Sequence, residues 1–387
     1  MSPALIDVLI PVYNASETVV QAVLTIQAQT IRDIRILLIN DGSTDGSLKI
    51  MQDIADGDPR VTVIDKQNSG IVDALNLGLA HCKAEIIARH DADDLACPER
   101  FERQLAYLSA NPDCVAVSSF ARHIDISGKT TGSLAQFRLV DRADETWIPS
   151  REPYLLHPFL MVRRSALVAV GGYRYAHHAE DTDLYWRLQS IGRLHIIEEV
   201  MGAYRFSAQS ITSRSLLNGR LSAMNSQLAA VSAARRQSGR ADLAFEKRTA
   251  EEMTAAVSTQ GIYDIAKCQL DGNEAEHLRA AYAAKLLELT SYRPFELDLA
   301  DCRFIASALD NAERHLALPN LKEVRRLRAT AAARLIRTGR VRCFLALISR
   351  GTAIEMTWRL TAQVLVRVLP LGARRSIRAF QASHGLT

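Results

Sequence analysis

Residues 85–94 read Glu-Ile-Ile-Ala-Arg-His-Asp-Ala-Asp-Asp, an apolar run that ends in three carboxylates within four positions. The run over 85–89 predicts a buried strand. Three carboxylates this close repel one another, so a strand end is a costly place for them unless a cation is present. Their oxygen atoms suit Mg²⁺ or Mn²⁺, and such an ion could bridge a nucleotide diphosphate. The alternative is a solvated acidic turn that caps a helix beginning near Pro98.

Three similar strands precede this one and alternate with amphipathic stretches. The predicted strands cover 5–11, 34–39 and 61–65, and the predicted helices cover 17–29, with Ser16 as N-cap, a stretch ending near 55, and 71–81. This order predicts a mostly parallel α/β sheet covered by helices on both faces. Ligands of such sheets bind beyond the carboxyl ends of the strands, which is where residues 91–94 follow the fourth strand.

The later part of the chain changes character twice. Between about 116 and 137 the pattern predicts shorter strands, and a strand pair near 194–206 would close the sheet. Beyond about 215 the composition shifts to Ala, Leu, Arg and Glu at helical spacing, with few strand formers. We therefore predict two domains, an α/β domain over 1–215 and a helical domain over 216–387.

Two further acidic motifs are candidates for chemistry. Glu180-Asp181-Thr182-Asp183 begins a predicted helix, where a carboxylate is held rigidly enough to take a proton from a hydroxyl. Plain complementation of the helix dipole explains this cluster better when it is taken alone. Asp41 begins Asp-Gly-Ser-Thr-Asp after the second strand, and its side chain could accept a hydrogen bond from a uracil or a ribose. A turn with a helix cap is the structural alternative.

Taken together, these segments resemble the family 2 glycosyltransferases, which have the GT-A fold, a Rossmann-like mixed sheet. The order and spacing of the segments match that family over about residues 5–215. The matching segments are Val8 to Asn14, Ile39 to Asp45, Asn68-Ser69-Gly70, Arg89 to Asp94, Pro98 with Arg100, Gly171-Gly172-Tyr173 and Glu180-Asp181.

The resemblance implies a role for each matching position. Pro11, Tyr13 and Asp41 would form the nucleotide-base pocket, and Asn68 and Arg89 would line the donor cleft. The remaining roles are Asp91 and Asp93 as the D-x-D pair that holds ribose and metal, Asp94 beside them, Asp181 as catalytic base and Glu180 as the residue that positions it.

The resemblance also implies a reaction, an inverting displacement. Mn²⁺ or Mg²⁺ would stabilise the leaving nucleoside diphosphate while Asp181 deprotonates the acceptor hydroxyl on the opposite face of the sugar. Many members carry a histidine two residues after a Tyr-Arg pair near the end of the catalytic domain. Here Ser207 occupies that position, so this potential metal ligand is absent.

Two other residues could contact or support the acceptor. Trp186 could stack on an acceptor sugar, although an aromatic residue on an amphipathic helix is more often part of the core. His157 flanks an apolar run and could line the acceptor cleft, as could Arg163 and Arg164.

Composition restricts the cellular context. The 387 residues are 48% hydrophobic and 23% charged, which is typical of a globular protein, and the six cysteines show no C-x-x-C pairing. We expect reduced thiols, no signal peptide and no membrane-spanning helix, and therefore a cytoplasmic protein.

The C-terminal region is strongly basic. From about 322 to 378 it holds 14 Lys and Arg against two Glu, although the net charge of the whole chain is only +4. Residues 354–369 predict an amphipathic helix with Trp358 on its apolar side and Arg359 and Arg367 on the other. Such a helix could lie on an anionic membrane surface or pack against the protein's own second domain. Binding of nucleic acid is not expected.

Other function classes fit less well. A nucleotidyltransferase would have a Gly-rich basic loop after the first strand, and a dinucleotide dehydrogenase would have G-x-G-x-x-G there, but Pro11 to Ala15 has neither. A catalytically silent scaffold or sugar-nucleotide-binding protein stays open as an alternative. The expected donor is a nucleotide-sugar, with UDP favoured by family habit, and the expected acceptor is a glycan or a lipid-linked glycan.

Overall fold

The computed structural model describes residues 4–136, 140–206, 215–293, 296–316 and 318–348, which form a sheet followed by helices. The strands are β1 (Ile6–Val12), β2 (Ile34–Asp41), β3 (Val61–Lys66), β4 (Ile86–Arg89), β5 (Leu95–Ala96), β6 (Cys114–Ile124), β7 (Thr130–Ala135), β8 (Met161–Arg163) and β9 (Arg193–Arg205). The helices are α1 (Val19–Gln27), α2 (Ser47–Gly57), α3 (Ile71–His81), α4 (Arg100–Ala110), α5 (Arg164–Ala169), α6 (Glu180–Gln189), α7 (Leu216–Gln237), α8 (Lys247–Ala256), α9 (Thr259–Ala266), α10 (Gly272–Leu289), α11 (Leu299–His315), α12 (Leu321–Arg337) and α13 (Val341–Leu347).

The sheet is mixed, with a parallel half and a less regular half. Its nine strands follow the order β3-β2-β1-β4-β8-β6-β9-β5, with β7 paired to β6. The first four strands of this order are parallel, whereas β8 is antiparallel to both of its neighbours. The loops after β1, β2 and β4 therefore meet at one edge, as the sequence predicted for a mixed α/β sheet.

Alternating residues of the central strands fill the cores on the two faces. Ile6, Val8 and Ile10 of β1 lie in one cluster with residues of α1, α2 and α4, whereas Leu9 lies in another with residues of α3, α5 and α6. Because strand side chains point alternately to opposite faces, this pattern requires helices on both sides of the sheet.

The helical region has its own large core and also clamps one loop of the α/β domain. The amide of Gln227 bonds Ser150 and Glu152, Lys285 forms an ion pair with Glu152 at 2.9 Å, and Asn320 donates to the carbonyl of Ile148 at 2.8 Å. Three different helices thus hold residues 148–152. None of the helices in the described ranges is both long and apolar enough to cross a membrane.

Several predicted details were wrong. Residues 193–205 form one long strand rather than a pair, because register shifts let β9 bend while it stays paired with β6. Similarly, 114–124 is a single long strand. Ser16 does not cap α1, since the N-cap residue is Thr18 and the Ser16 amide donates to Asp45 at 3.1 Å. The amphipathic helix predicted over 354–369 lies outside the described residues.

Candidate active site

The acidic turn predicted after β4 lies at the carboxyl edge of the parallel strands. Asp91, Asp93 and Asp94 each offer a carboxylate oxygen, and these oxygen atoms all lie within 4.8 Å of one another. The turn is closed by the amide of Asp94, which donates to the carbonyl of Asp91 at 3.3 Å. A separation this small is suited to a shared divalent cation.

Strand β9 holds the acidic turn from the opposite side. The backbone amide of Arg205 donates to Asp94 Oδ1 at 2.7 Å, and the Arg205 guanidinium donates to the carbonyl of Asp93 at 2.7 Å. The other oxygen of the fully buried Asp94 carboxyl, Oδ2, has no hydrogen-bond partner among the described residues. An orphaned buried oxygen of this kind calls for a ligand that can share its charge.

Burial and repulsion between neighbouring carboxylates disfavour the charged forms of Asp93 and Asp94. Burial, reinforced by the charge of Asp91, raises the pKa of Asp93 to about 6. The same two causes, with the charge of Asp93 added, raise the pKa of Asp94 well above its usual range. The protein's own charges therefore leave this turn undercompensated.

Arg89 is the cation at the centre of the site. Its side chain is buried and lies 2.5 Å from Asp91, and its Nε atom has no hydrogen-bond partner among the described residues. Burial opposes its charge, but Asp91 more than offsets this and raises the pKa of Arg89. The charge of Arg89 also opposes the raised pKa values of Glu180 and Asp181, so both acidic motifs lie within electrostatic reach of this guanidinium.

Buried polar residues support the turn from below. Arg100 is fully buried, and its guanidinium donates to the carbonyl of Arg89 at 2.7 Å and contacts His90 Nδ1 at 3.2 Å. Burial is the main cause that lowers the pKa of His90 well below its usual range, so this ring is neutral. Arg100 therefore shapes the backbone behind the acidic turn and is not exposed to a ligand, whereas Pro98 of the same motif is exposed and its carbonyl accepts the amide of Thr30 at 2.9 Å.

The loops after β2 and β3 interlock around Asp41. The Asp41 carboxylate accepts the amides of Ser69 and Gly70, both at 3.0 Å, and forms an ion pair with Lys66. Asn68 in turn donates to the Asp41 carbonyl at 2.9 Å. The Asp41 and Asn68 positions predicted for the donor cleft thus lie side by side, and much of the Asp41 carboxylate is engaged by the protein itself.

Residues after β1 form the adjoining wall. Pro11 is buried in the strand, whereas Tyr13 is 46% exposed beyond its end. Asn14 adopts a positive φ of 49° and bonds the second loop, since its amide donates to Ser43 Oγ at 3.0 Å and its side chain accepts the amide of Thr44 at 2.8 Å. An exposed tyrosine on a fixed loop offers a ring face to a planar ligand.

The acidic motif at the start of α6 divides into two parts. Asp183 is fully buried and paired with Arg174 and Arg187, the latter at 2.5 Å, so it holds α6 against the preceding loop. In the described ranges, neither Glu180 nor Asp181 forms an ion pair. The Asp181 carboxylate accepts the amide of Thr182 at 2.7 Å, and Glu180 Oε2 is buried without a partner among the described residues.

The charge of the Glu180–Asp181 pair resides on Asp181. Burial, followed by the charge of Asp181, raises the pKa of Glu180 to about 7. Burial also raises the pKa of Asp181, but the Thr182 amide opposes this shift. Asp181 therefore ionises first, and its ionisation keeps a proton on Glu180 up to near neutral pH.

The predicted acceptor contacts are only partly suited to that role. The Trp186 side chain is 3% exposed and packs against Ala229, Ala230 and Ala233 of α7, so it joins the sheet region to the helical region and its ring cannot stack on a sugar. His157 is buried, and its Nε2 lies 2.9 Å from the Tyr173 hydroxyl. Burial, with a contribution from Arg89, lowers the pKa of His157 well below its usual range, which makes it a neutral supporting residue.

Arg163 and Arg164 do not line the cleft. Arg163 pairs with Ile86 at the beginning of β4, which is the end of the sheet opposite the acidic turn. The guanidinium of Arg163 donates to the carbonyls of Leu108 and Cys114, and that of Arg164 to the carbonyl of Ala84. Both residues therefore stabilise the end of the sheet that lies opposite the acidic turn.

Three supporting residues were not found from the sequence. Lys66 and Arg205 hold Asp41 and the acidic turn, and Arg293 from the helical domain acts on Asp181. Lys66 and Arg205 are the last residues of β3 and β9. Because ligands of such sheets bind beyond the ends of the strands, these positions could have been recognised from the sequence. No local signal marked Arg293, because it reaches the site through the packing of a distant helix.

The sheet is mixed, the loops after β1, β2 and β3 are joined by hydrogen bonds, and an acidic turn follows β4. This combination is typical of the GT-A fold of nucleotide-sugar transferases. Comparison with known proteins agrees, because the sequence profile described as "Glycosyl transferase family 2" matches residues 7–171. The chain belongs to the family 2 glycosyltransferases and is an enzyme of the transferase class.

Two curated relatives support this assignment over most of their own length. The chain is 31% identical over 189 residues to the amylovoran biosynthesis glycosyltransferase AmsE of Erwinia amylovora, covering 48% of this chain and 70% of AmsE. It is 30% identical over 223 residues to the putative glycosyltransferase EpsE of Bacillus subtilis, covering 54% of this chain and 76% of EpsE.

A solved structure resembles the fold of nearly the whole chain. The mannosyltransferase PcManGT from Pyrobaculum calidifontis, solved in complex with GDP-Man and Mn²⁺, superposes with a TM-score of 0.51 at 19% identity and covers 92% of this chain and 88% of its own. At this identity the similarity establishes the shared fold, including the helical C-terminal part.

Proposed function

We propose that the protein is an inverting, metal-dependent glycosyltransferase that moves a sugar from a nucleotide-sugar to an acceptor hydroxyl. The observation that supports this proposal most is the cluster of the Asp91, Asp93 and Asp94 carboxylates, whose oxygen atoms lie within 4.8 Å of one another. The Glu180–Asp181 pair is within electrostatic reach of Arg89, which also pairs with Asp91.

The acidic turn fits a divalent cation. Its ligands are hard oxygens, its charge is undercompensated, and Asp94 Oδ2 has no partner among the described residues. Asp93 and Asp91 would hold Mn²⁺ or Mg²⁺, which when bound supplies positive charge to the leaving diphosphate. The Mn²⁺ in the PcManGT structure, of similar fold, supports this assignment.

Asp181 is the proposed base, and Glu180 supports it. The acceptor hydroxyl gives its proton to the Asp181 carboxylate as its oxygen forms the new bond to the anomeric carbon and the bond to the nucleoside diphosphate breaks. Because Asp181 ionises before Glu180, it is the carboxyl available for this step near neutral pH. The single displacement inverts the anomeric centre.

The proposed donor is a UDP-sugar, bound along Pro11, Tyr13, Asp41, Asn68 and Arg89. The loops that carry Tyr13, Asp41 and Asn68 are joined by hydrogen bonds at the carboxyl edge of the parallel strands, which supports this assignment. S. aureus TarS, solved in complex with UDP-GlcNAc, has a TM-score of 0.50 to this chain at 14% identity, whereas PcManGT was solved with GDP-Man. A donor panel must therefore include both nucleotides.

The proposed acceptor is a glycan or a lipid-linked glycan of cell-surface polysaccharide synthesis. The name of AmsE, which refers to amylovoran biosynthesis, supports this. The basic region from about 322 would bring the enzyme to an anionic membrane from the cytoplasmic side. In the described part of that region, Arg325, Arg328 and Arg334 pair with acidic residues of the protein itself, so the membrane contact would fall mainly beyond 348.

The alternative is a silent scaffold that binds a sugar nucleotide. Release of free nucleoside diphosphate from UDP-, GDP- and dTDP-sugars, with and without Mn²⁺ or Mg²⁺, distinguishes the two functions. We expect one donor to be hydrolysed slowly in a reaction that needs metal and is lost in Asp93→Ala and Asp181→Ala. Donor binding without turnover in the wild type would favour the scaffold.

Membrane attachment needs a separate measurement. Liposomes that contain anionic lipid should sediment the wild-type protein but not a variant in which Arg367, Arg374 and Arg375 are changed to Glu. Equal sedimentation of both proteins, or none of either, would contradict a membrane role for the tail.

A further inference from the structure

A row of side chains crosses three adjacent strands on one face of the sheet. His123 of β6 pairs with Tyr204 of β9, and the centroids of their rings lie 5.8 Å apart. On the other side, His123 Nδ1 lies 2.9 Å from the hydroxyl oxygen of Ser133 in β7, and the Thr131 hydroxyl lies 2.9 Å from that same oxygen. Direct contacts therefore join these four side chains into one continuous row.

Phe206 adds an exposed ring to this row. It follows β9 directly, and its amide donates to the carbonyl of Ile124 at 2.8 Å, which fixes its backbone. The centroid of its ring lies 6.2 Å from that of His123, and the side chain is 48% exposed. Ser133 and Thr131 are also exposed. An aromatic face beside exposed hydroxyls suits a ligand that has apolar C–H faces and a polar edge, as a sugar ring has.

The row begins at the acidic turn. Arg205 lies between Tyr204 and Phe206 in the chain, its amide donates to Asp94 Oδ1, and its guanidinium donates to the carbonyl of Asp93, both at 2.7 Å. Consecutive Cα atoms are only about 3.8 Å apart, so the two aromatic residues flank the atoms that hold the turn. A ligand on the row therefore lies beside the proposed metal site.

The order of the strands assigns this row to the acceptor. The loops proposed to bind the nucleotide follow β1, β2 and β3, which lie on one side of β4 in the sheet. Strands β6 and β9 lie on the other side of β4, with β7 paired to β6. A ligand bound on the row therefore approaches the acidic turn from the side opposite to the nucleotide loops, which is the side left for the acceptor.

The row carries no charge near neutral pH. Burial lowers the pKa of His123, so its ring is neutral, and burial raises the pKa of the Tyr204 hydroxyl. The carboxylate of Asp125, in the turn that joins β6 to β7, accepts the amides of Ser127 and Lys129 at 2.9 and 3.0 Å. An uncharged surface of this kind fits a neutral sugar better than a uronic acid, whose carboxylate would lose water without gaining a cationic partner in the row.

We propose that Phe206, His123 and Ser133 form a platform on which a neutral sugar ring of the acceptor glycan binds. This inference rests on the proposed transferase function and adds which face of the sheet holds the acceptor. Phe206 stacks on the sugar ring, and the His123 and Ser133 side chains bond its hydroxyls. Two strand spacings give the row a width of roughly 10 Å, so the acceptor can continue along it beyond the ring that reacts.

The test measures transfer and donor hydrolysis separately in the full-length protein. The donor and metal are those found by nucleotide release, and the probes are p-nitrophenyl glycosides of neutral hexoses, of neutral disaccharides and of glucuronic acid. The variants are Phe206→Ala, Phe206→Tyr and Ser133→Ala. The control is Leu134→Ala, because Leu134 is 42% exposed in β7 beside Ala135. Ala135 packs with Tyr204, so the side chain of Leu134 points to the opposite face of the strand.

We expect the acceptor KM to rise about 10-fold in Phe206→Ala, since one aromatic stacking contact is lost. Ser133→Ala should raise it by about 3- to 10-fold through a lost hydrogen bond. Phe206→Tyr keeps the ring and should stay near the wild type, as should Leu134→Ala. The rate of donor hydrolysis should be the same in all of these proteins, because water needs no platform. Neutral disaccharide glycosides should have the lowest KM and the glucuronide the highest.

Other results would overturn the platform. These are an unchanged acceptor KM in Phe206→Ala and Ser133→Ala, an equal rise in Leu134→Ala, preference for the glucuronide, or no transfer to any neutral glycoside by an enzyme that hydrolyses its donor. Donor hydrolysis that falls together with transfer in Phe206→Ala would give this residue a structural role and would also overturn the platform. Absence of donor consumption by the wild type under all conditions would instead contradict the proposed function, on which the platform rests.

Discussion

The two acidic motifs of the cleft look alike in sequence but are compensated differently. In the motif that begins α6, Asp183 is paired with Arg174 and Arg187. In the turn after β4, by contrast, Asp94 Oδ2 has no partner in the described ranges, although Asp91 is paired with Arg89. Carboxylates that the protein neutralises itself hold the fold together, and those it leaves undercompensated are available for chemistry.

The largest effect is expected when the charge of the proposed base, Asp181, is removed. Asp181→Asn should lower transfer by about 10²–10⁴-fold, the usual contribution of a general base. Its stability should not fall, because Asp181 forms no ion pair with any residue that the structure describes and an asparagine oxygen can still accept the Thr182 amide. Initial rates and chemical denaturation of the same preparation check both statements. Activity near the wild-type level would mean that another group takes the proton.

The matched change at Asp183 should lower the stability of the protein, which the change at Asp181 should not. Asp183→Asn leaves two buried guanidinium groups without their partner and should lower the free energy of unfolding by about 3–5 kcal/mol. Urea denaturation measures the effect, with Asp181→Asn as the control two residues away. Equal stability of the two variants would show that pairing does not distinguish them.

Metal binding tests the other motif of this comparison, the acidic turn after β4. A cation that neutralises the turn after β4 should stabilise the folded protein, by about 2.7 kcal/mol at a concentration 100 times its Kd. Thermal unfolding with Mn²⁺ and then with excess EDTA should show the gain and its reversal. Asp93→Ala should show neither, and a similar gain in that variant would place the ion elsewhere.

The smallest expected effect concerns Glu180. Activity should fall at acid pH as Asp181 is protonated, and since burial raises the pKa of Asp181, this fall begins above the pH at which an exposed aspartate titrates. Glu180→Gln mimics the protonated Glu180, so it should leave this acid limb in place. It should remove the inflection near pH 7 that ionisation of Glu180, with its pKa of about 7, gives the wild type. A shifted acid limb would make Glu180 the base.

Local patterns predicted the parallel half of the sheet closely. The helix predicted over 71–81 is Ile71–His81, and the strand predicted over 85–89 is Ile86–Arg89, because short buried strands and amphipathic helices depend on neighbouring residues. The sequence motifs also placed Asp91, Asp93 and Asp94 at the correct edge. Where local pattern and strand position agree, the place of the candidate site residues in the fold could be predicted.

The features that were missed depend on contacts between distant segments. Strand β9 is long because β6 supports it through register shifts, and no local pattern records this. The burial of Trp186 comes from residues of α7 that lie more than 40 positions further along the chain, so the sequence around Trp186 does not reveal it. Trp186 was therefore considered for acceptor stacking. Arg293 has no motif at all. Its charge acts on Asp181 from the end of α10, more than 100 residues further along the chain.

The clamp on residues 148–152 limits how this enzyme can be re-engineered by exchange of parts. Glu152 bonds Gln227 and Lys285, and Ile148 bonds Asn320, so cutting the chain after the sheet would remove the partners of this loop and uncover Trp186. A chimera that keeps the α/β half must therefore import a helical partner with the same three polar anchors.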